Sequence, residues 1–529
     1  MLAKLSPRPA LRHCALAGAI GLALLGAGLP ATVADDAEPD LSRFYRQKIS
    51  WSRCEGTDMP KDLQCGKITV PLDYARPRAG TLDLALARYR ATTEPKGSVL
   101  LNYGGPGGPG VPQLAYGGKE FMELTNAYDV VTFDPRGVGR SSPVSCGDGV
   151  NAAPDATDDS TDLETSTRAV LERLRTAAAL CAEHSGPVLP HIGTVNASRD
   201  LDVLRDALGD KKLNYLGFSY GTRLGAVYAA QFPRKVGRLV LDGVDTLTEP
   251  LTEQGVAGAA GQQTALDGFV DWCVGDIACP FGQDARTARE QVAQLVESLD
   301  ENPLPTDLGQ NFTGQDLVAA MSQGLYSTEL WPTLKRALAS LVEDGDPTDI
   351  LAFSINGAGL RAADGRDGDG GGLTDEEDVP MDNLPAAMMA INCADDPDRP
   401  TADRITRNLG RLRAAYERAS PIFGRYRLNE VLMCYGRPRG TDFIRDEVKD
   451  VSGPKMLLVG TRGDPATPYR WTEETADRLG DAAVVLDNKG EGHTGYTSSK
   501  CVHKTVNAFL LHGSLPPDGS SCGPEEDAE

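Results

Sequence analysis

Short apolar runs rich in β-branched residues punctuate the first half of the chain at 98–102, 128–133, 213–216 and 238–241. Each has the length of a buried strand and is closed by turn-forming residues. Between the second and third runs, Leu201, Leu204 and Leu208 fall at helical spacing and predict a helix over 198–208. A second helix is predicted from just after Ser219 to Phe232, where Pro233 stops it. Strands alternating with helices predict a mostly parallel sheet flanked by helices. After residue 245 the alternation breaks into helical segments and loops, and strand-like runs return only at 455–459 and 483–486. The expected organisation is one α/β core contributed by 35–244 and 455–529, interrupted by a large, mainly helical cap at 245–454. Such a cap would cover the crevice at the carboxyl ends of the strands. A chain of 529 residues is also too long for one ordinary core.

The first 34 residues read differently. Lys4, Arg8 and Arg12 precede an apolar stretch at 15–29 and then Thr32-Val33-Ala34, the layout of a secretory signal with a small-residue cleavage site. The stretch is short for a membrane span, so the expectation is a secreted protein with no membrane contact once the signal is removed. Of eleven cysteines, Cys14 leaves with that segment. An even set remains: Cys54, Cys65, Cys146, Cys181, Cys273, Cys279, Cys393, Cys434, Cys501 and Cys522. In an exported chain this predicts disulfides, and the absence of any C-x-x-C pair argues against zinc or thiol redox chemistry. Pairing of neighbours along the chain would keep the closed loops short, each bridge adding about 2–4 kcal/mol. The formal net charge of −22 repels nucleic acid and favours cationic ligands. Asp364, Asp367 and Asp369 lie in a Gly/Asp-rich stretch that does not complete a calcium-loop pattern, so neither metal nor cofactor is expected. The acidic end, 525–529, reads as a frayed tail.

The chemistry concentrates at Gly217-Phe218-Ser219-Tyr220-Gly221, a G-x-S-x-G string between a predicted strand and a predicted helix. This is the context of a nucleophile elbow, in which a sharp turn lifts the serine hydroxyl above the sheet edge. The competing reading is a plain turn with an incidental serine. A serine hydroxyl needs a base, and the elbow fold orders its partners serine, acid, histidine. Among the six histidines this leaves His493, His503 and His512. His493, in Gly490-Glu491-Gly492-His493-Thr494-Gly495 directly after the last predicted strand, is the candidate base. His503 and His512 fall in a following helical segment. The acid that would hold the imidazole is assigned to Asp464, at the carboxyl end of the next-to-last strand, with Asp242 as runner-up. After the first strand, Tyr103-Gly104-Gly105-Pro106-Gly107-Gly108 can aim backbone N–H groups at one small volume. With the N–H of Tyr220, these glycines are the candidate oxyanion donors, Gly104 preferred and Gly105 second.

Four segments together carry a resemblance: the G-G-P-G-G loop, Asp134-Pro135-Arg136-Gly137-Val138-Gly139-Arg140-Ser141, the serine elbow with Thr222, and Asp464-Pro465-Ala466-Thr467-Pro468. They resemble the secreted tripeptidyl aminopeptidases of Streptomyces and related mycobacterial exported serine hydrolases, α/β-hydrolases with a TAP-like C-terminal region. Proline iminopeptidases are more distant, with a similar Gly-Gly-Pro-Gly loop. The resemblance spans 51–522 and puts nucleophile, acid and base on Ser219, Asp464 and His493. It implies a structural role for the 134–141 turn and cleavage of short peptides from a free amino terminus, the partner being a peptide whose amine meets an acidic cap residue. Asp395 or Asp396, beside Cys393, is the candidate acid. Asn102-Tyr103 departs from relatives that often carry Asn-Pro or His there. An esterase using the same triad is the first rival, and a binding module that has lost catalysis the second.

Overall fold

The computed structural model describes residues 39–56, 59–147, 163–306, 309, 311–356, 379–427 and 432–523. The signal segment 1–34, Asp364, Asp367, Asp369 and the tail 525–529 lie outside the described residues. The runs that read as strands are strands: β4 (Ser98–Asn102), β5 (Asp129–Phe133), β6 (Leu213–Phe218), β7 (Val236–Asp242), β10 (Met456–Gly463) and β11 (Ala483–Glu491). The sequence reading missed β1 (Ser52–Arg53), β2 (Gln64–Pro71), β3 (Thr81–Tyr89) and β12 (Ser520–Cys522). A separate pair, β8 (Leu304–Pro305) and β9 (Asn311–Phe312), forms a small ribbon.

Ten strands form one sheet in the order β1-β2-β3-β5-β4-β6-β7-β10-β11-β12. The pairs from β5 to β12 are parallel, and the three on the other side are antiparallel. All five residues of β4 are buried, as expected of a central parallel strand covered on both faces. Over 81–86 of β3, buried residues alternate with more exposed ones, the period of an antiparallel strand with one wetter face, before Leu86 and Ala87 are buried in succession.

Helices cover both faces. On one, Leu201, Leu204, Leu224 and Val227 pack with Leu100, Val131 and Leu241. These come from the helices Thr194–Ala207 and Tyr220–Gln231, close to where the periodicity puts them. On the other face, Leu114, Phe121, Val502, Phe509 and Leu510 pack with Val99, Val240 and Val459. Between β7 and β10 the chain is mainly helical. Phe269, Leu317, Met321, Trp331, Leu338 and Phe423 form a core of their own there. The helix Asn383–Asp395 behaves differently: Ala386, Ala387, Ala390 and Ile391 join the first sheet-side core. The inserted segment is therefore partly built into the body of the molecule. Among the described residues, no helix is long and apolar enough to cross a membrane.

The five disulfides pair cysteines that are neighbours in the sequence: Cys54–Cys65, Cys146–Cys181, Cys273–Cys279, Cys393–Cys434 and Cys501–Cys522. The 134–141 turn is fixed by a buried ion pair. The Arg136 guanidinium donates to both carboxylate oxygens of Asp200 at 2.6–2.7 Å and to the carbonyls of Pro71, Leu72 and His191. Asp134 accepts the N–H groups of Val111 and Arg140, and burial lifts its carboxyl to about 6.

Candidate active site

The register sets a row of strand ends side by side. Asn102 of β4 faces Gly217 of β6, Phe218 faces Asp242 of β7, and Asp242 faces Val459 of β10. Each candidate group leaves the sheet just beyond this row, the usual place for a ligand crevice in a parallel sheet.

Ser219 follows β6 directly and caps the helix Tyr220–Gln231. Its backbone sits at φ 55° and ψ −126°, a strained combination for a residue with a side chain. Main-chain bonds hold it there: its N–H donates to the carbonyl of Asp242 at 2.9 Å, and its carbonyl accepts the Thr222 N–H at 2.8 Å. The flanking glycines are steric requirements. A Cβ on Gly217 would meet the Gly221 carbonyl oxygen at 2.5 Å, and one on Gly221 would meet the Asn102 carbonyl oxygen at 2.7 Å. Gly104 lies across the elbow at φ +87°, where a Cβ would stand 2.9 Å from that of Ser219 and 3.2 Å from the Tyr220 nitrogen. Tyr220 opens its helix, so its N–H has no intrahelical partner. The N–H of Gly104, the preferred candidate among the loop glycines, donates to Oδ1 of buried Asn102 at 3.1 Å. Gly105, at φ +108°, is the next N–H along the loop.

Asp464 directly follows β10, opens the bend that continues through Thr467, and is 1% exposed. Nδ1 of His493 lies 2.9 Å from each of its oxygens. The N–H groups of Ala466, Thr467 and Thr494 and the Thr467 hydroxyl also donate to it, at 2.8–3.1 Å. Burial alone would raise this carboxyl, but the charge and hydrogen bond of His493 outweigh it and hold it below its ordinary value. Burial would likewise lower the imidazole, yet Asp464, helped by Asp242 and Asp245, lifts it above its ordinary value. The imidazole overhangs the end of β7, where a Cβ on Gly243 would be 3.5 Å from Cε1 of His493. Ser219 is bonded to that same strand end.

Asp242 has another task. Its buried carboxylate accepts the N–H groups of Gly495 and Tyr496 at 2.8–3.1 Å, so it anchors the loop carrying His493. Burial pushes it up to about 6. His503 and His512 lie in the helix Lys500–His512, and His503 stacks on Tyr496 at 4.4 Å. Asp395 and Asp396 are both committed elsewhere. Asp395 accepts the N–H and hydroxyl of Thr194 and faces Arg223 at 3.8 Å. Asp396 accepts the N–H groups of Leu251 and Asp398. The cavity beside them is also lined by Glu249, Arg223 and Arg445.

Three neighbours of the site escaped the sequence reading. Thr467 was legible in the Asp-Pro-Ala-Thr turn, whose side chains fold back on local backbone. Glu491 carried no such signal. Its carboxyl is wedged against Gly268 and Gly463, one oxygen has no hydrogen-bond partner, and burial lifts it to about 7. Tyr326 comes from the inserted segment. Its carbonyl accepts the His493 N–H at 2.8 Å, and its ring meets the imidazole at 5.1 Å and 74°.

A parallel sheet with a strained serine elbow at one strand end and a hydrogen-bonded Asp–His pair at its neighbours defines the α/β-hydrolase class. The α/β-hydrolase fold family matches residues 97–353, and the TAP-like protein family matches 420–522. Serine protease Hip1 of Mycobacterium tuberculosis is 32% identical, with 92% of each chain covered. Tripeptidyl aminopeptidase of Streptomyces coelicolor is 31% identical over 91% of this chain and 87% of its own. Carboxylesterase B of M. tuberculosis is 30% identical over 90% of each. The chain belongs to the α/β-hydrolase family, in the branch with a TAP-like C-terminal region, and is a serine hydrolase.

Proposed function

We propose that this is an exported serine exopeptidase that releases short peptides, tripeptides in particular, from a free amino terminus. The observation that carries the chemistry is the buried Asp464–His493 pair on strand ends adjoining the Ser219 elbow. Neutral His493 takes the Ser219 proton as Oγ attacks the peptide carbonyl. The oxyanion turns toward the N–H groups of Tyr220 and Gly105. His493 then protonates the departing amine, and water hydrolyses the acyl-enzyme. The peptide substrate and the amino-terminal preference draw their support from the tripeptidyl aminopeptidase and serine protease relatives. The helical segment between β7 and β10 would act as a lid that favours chain ends over loops. Five disulfides and the leader-like first 34 residues support export.

Tripeptide anilides with free and acetylated amino termini separate the readings. The exopeptidase cleaves only the free form, releasing the tripeptide in one step. Equal cleavage of both forms would point to an endopeptidase. Turnover of simple esters alone would favour the esterase reading, for which carboxylesterase B is the supporting relative.

The pH profile has a definite sign. His493 must be neutral to act, so kcat/KM falls as pH drops through its pKa. Asp464 raises that pKa, which sets the acid limb above the ordinary imidazole value of about 6.5. Asp464→Asn removes the charge and moves the limb to lower pH. A limb that stays put in this variant would take Asp464 out of its assigned role.

A further inference from the structure

Resting on the reading of His493 as the base, we propose that Tyr326, carried by the inserted helical segment, is a positioning residue for its imidazole. Tyr326 lies just beyond the helix Gly314–Gly324 and before the helix Trp331–Asp344. It touches His493 twice. The Tyr326 carbonyl accepts the His493 main-chain N–H at 2.8 Å, and the phenol ring packs edge-to-face against the imidazole at 5.1 Å. The approach depends on Gly492, which sits at φ +89°, and where a Cβ would stand only 3.0 Å from the Tyr326 carbonyl oxygen. Residue 492 must therefore stay bare for the carbonyl to reach its neighbour.

The contacts around His493 divide the task of holding it. Asp464 holds Nδ1, and Asp242 anchors the loop downstream through Gly495 and Tyr496. Neither packs an aromatic ring against the imidazole, as Tyr326 does. An edge-to-face aromatic contact has a preferred geometry and so opposes rotation of the imidazole about its side-chain bonds. A base displaced by about 1 Å can lose on the order of 10²-fold in rate. The inserted segment thereby does more than control access: the base is fully held only when that segment is seated on the sheet.

The test uses Tyr326→Ala, Tyr326→Leu and Tyr326→Phe in the full-length protein. All three retain the backbone carbonyl, so they report on the ring alone. Two readouts are needed: steady-state turnover of a tripeptide anilide, and the inactivation rate with a small fluorophosphonate, which requires an activated serine and little of the peptide site. Tyr326→Ala and Tyr326→Leu should lower kcat by about 10- to 100-fold, with KM changed less than about threefold. The fluorophosphonate rate should fall by the same factor, and Tyr326→Phe should restore both. Tyr326→Leu carries the comparison if the alanine variant does not fold. Loss of peptide turnover at a wild-type fluorophosphonate rate would make the ring a substrate wall and overturn the proposal, as would no change in either readout. His493→Ala is measured alongside. Failure of the base assignment would show there, as undiminished fluorophosphonate reactivity, independently of any result at Tyr326.

Discussion

Ser219→Ala is expected to cut peptide turnover by about 10⁴- to 10⁶-fold while leaving the thermal transition essentially where it was. The two halves of this expectation have separate causes. The structural work of Ser219 falls on its main chain, through the Asp242 carbonyl and the Thr222 N–H, and alanine keeps both bonds. The close packing that Gly217, Gly221 and Gly104 permit around the turn is likewise untouched by the change. What disappears is the oxygen that would form the acyl-enzyme. A residual rate remains, because donors such as the Tyr220 N–H still stabilise an oxyanion formed by water attack. Hydrolysis of a tripeptide anilide before and after the change is the measurement. A loss below about 100-fold would remove Ser219 from the nucleophile position.

The second large effect is on stability. Asp200→Ala should destabilise the fold by about 3–5 kcal/mol, because it leaves the buried Arg136 guanidinium without its counter-charge. Both side chains are fully buried. Burial would depress the Arg136 guanidinium, but the Asp200 charge beside it more than offsets this and keeps it protonated. The carbonyls of Pro71, Leu72 and His191 would still accept from Arg136, but none carries a full negative charge. The Tyr74 hydroxyl would lose its acceptor as well. Urea unfolding with the disulfides intact reads the change directly. Arg76→Ala, at an Asp73 pair whose arginine is 75% exposed, should barely move the same transition. Equal shifts in the two variants would mean that burial of the Arg136–Asp200 pair contributes nothing special.

The parts of this molecule that were legible in the sequence are those whose signal is local. β4, β6 and β10 are continuous apolar runs because both faces of each are covered. Ser219 and Asp464 directly follow β6 and β10, and His493 follows β11 after one intervening residue, so finding the strands located the candidates. The antiparallel side was harder to read. β3 alternates along 81–86, but Asp83 and Arg88 interrupt its apolar residues and dilute the signal. The glycine loop after β4 was local enough to be read as a run of candidate oxyanion donors, but their order of preference is not a local matter. Whether Gly104 or Gly105 presents its N–H depends on where the Asn102 side chain folds, and that is a tertiary fact. Asp242 ends β7 and Asp464 directly follows the neighbouring β10, and residue type could not divide anchor from partner. Only the N–H groups of Gly495 and Tyr496 assign Asp242 to the loop. Asp395 and Asp396 were attractive as acids in an inserted segment, yet the Asp395 carboxylate fastens that segment to Thr194 and the Asp396 carboxylate accepts the N–H of Leu251 within the segment itself. Tyr326 lies 167 positions before the residue it touches, across a helical stretch with no periodic link to it.

The sequential pairing of the cysteines bears on how the chain matures. Among the described residues the ten cysteines are bridged as successive pairs along the chain, so no bridge encloses or crosses another. A chain that meets an oxidant from its amino end presents Cys54 and then Cys65 before any later thiol is available, and the same holds for each following pair. Order of appearance alone then favours the native connectivity, with little call for thiol exchange to undo wrong partners. Refolding from the reduced, fully denatured state gives up that advantage, because all ten thiols compete at once.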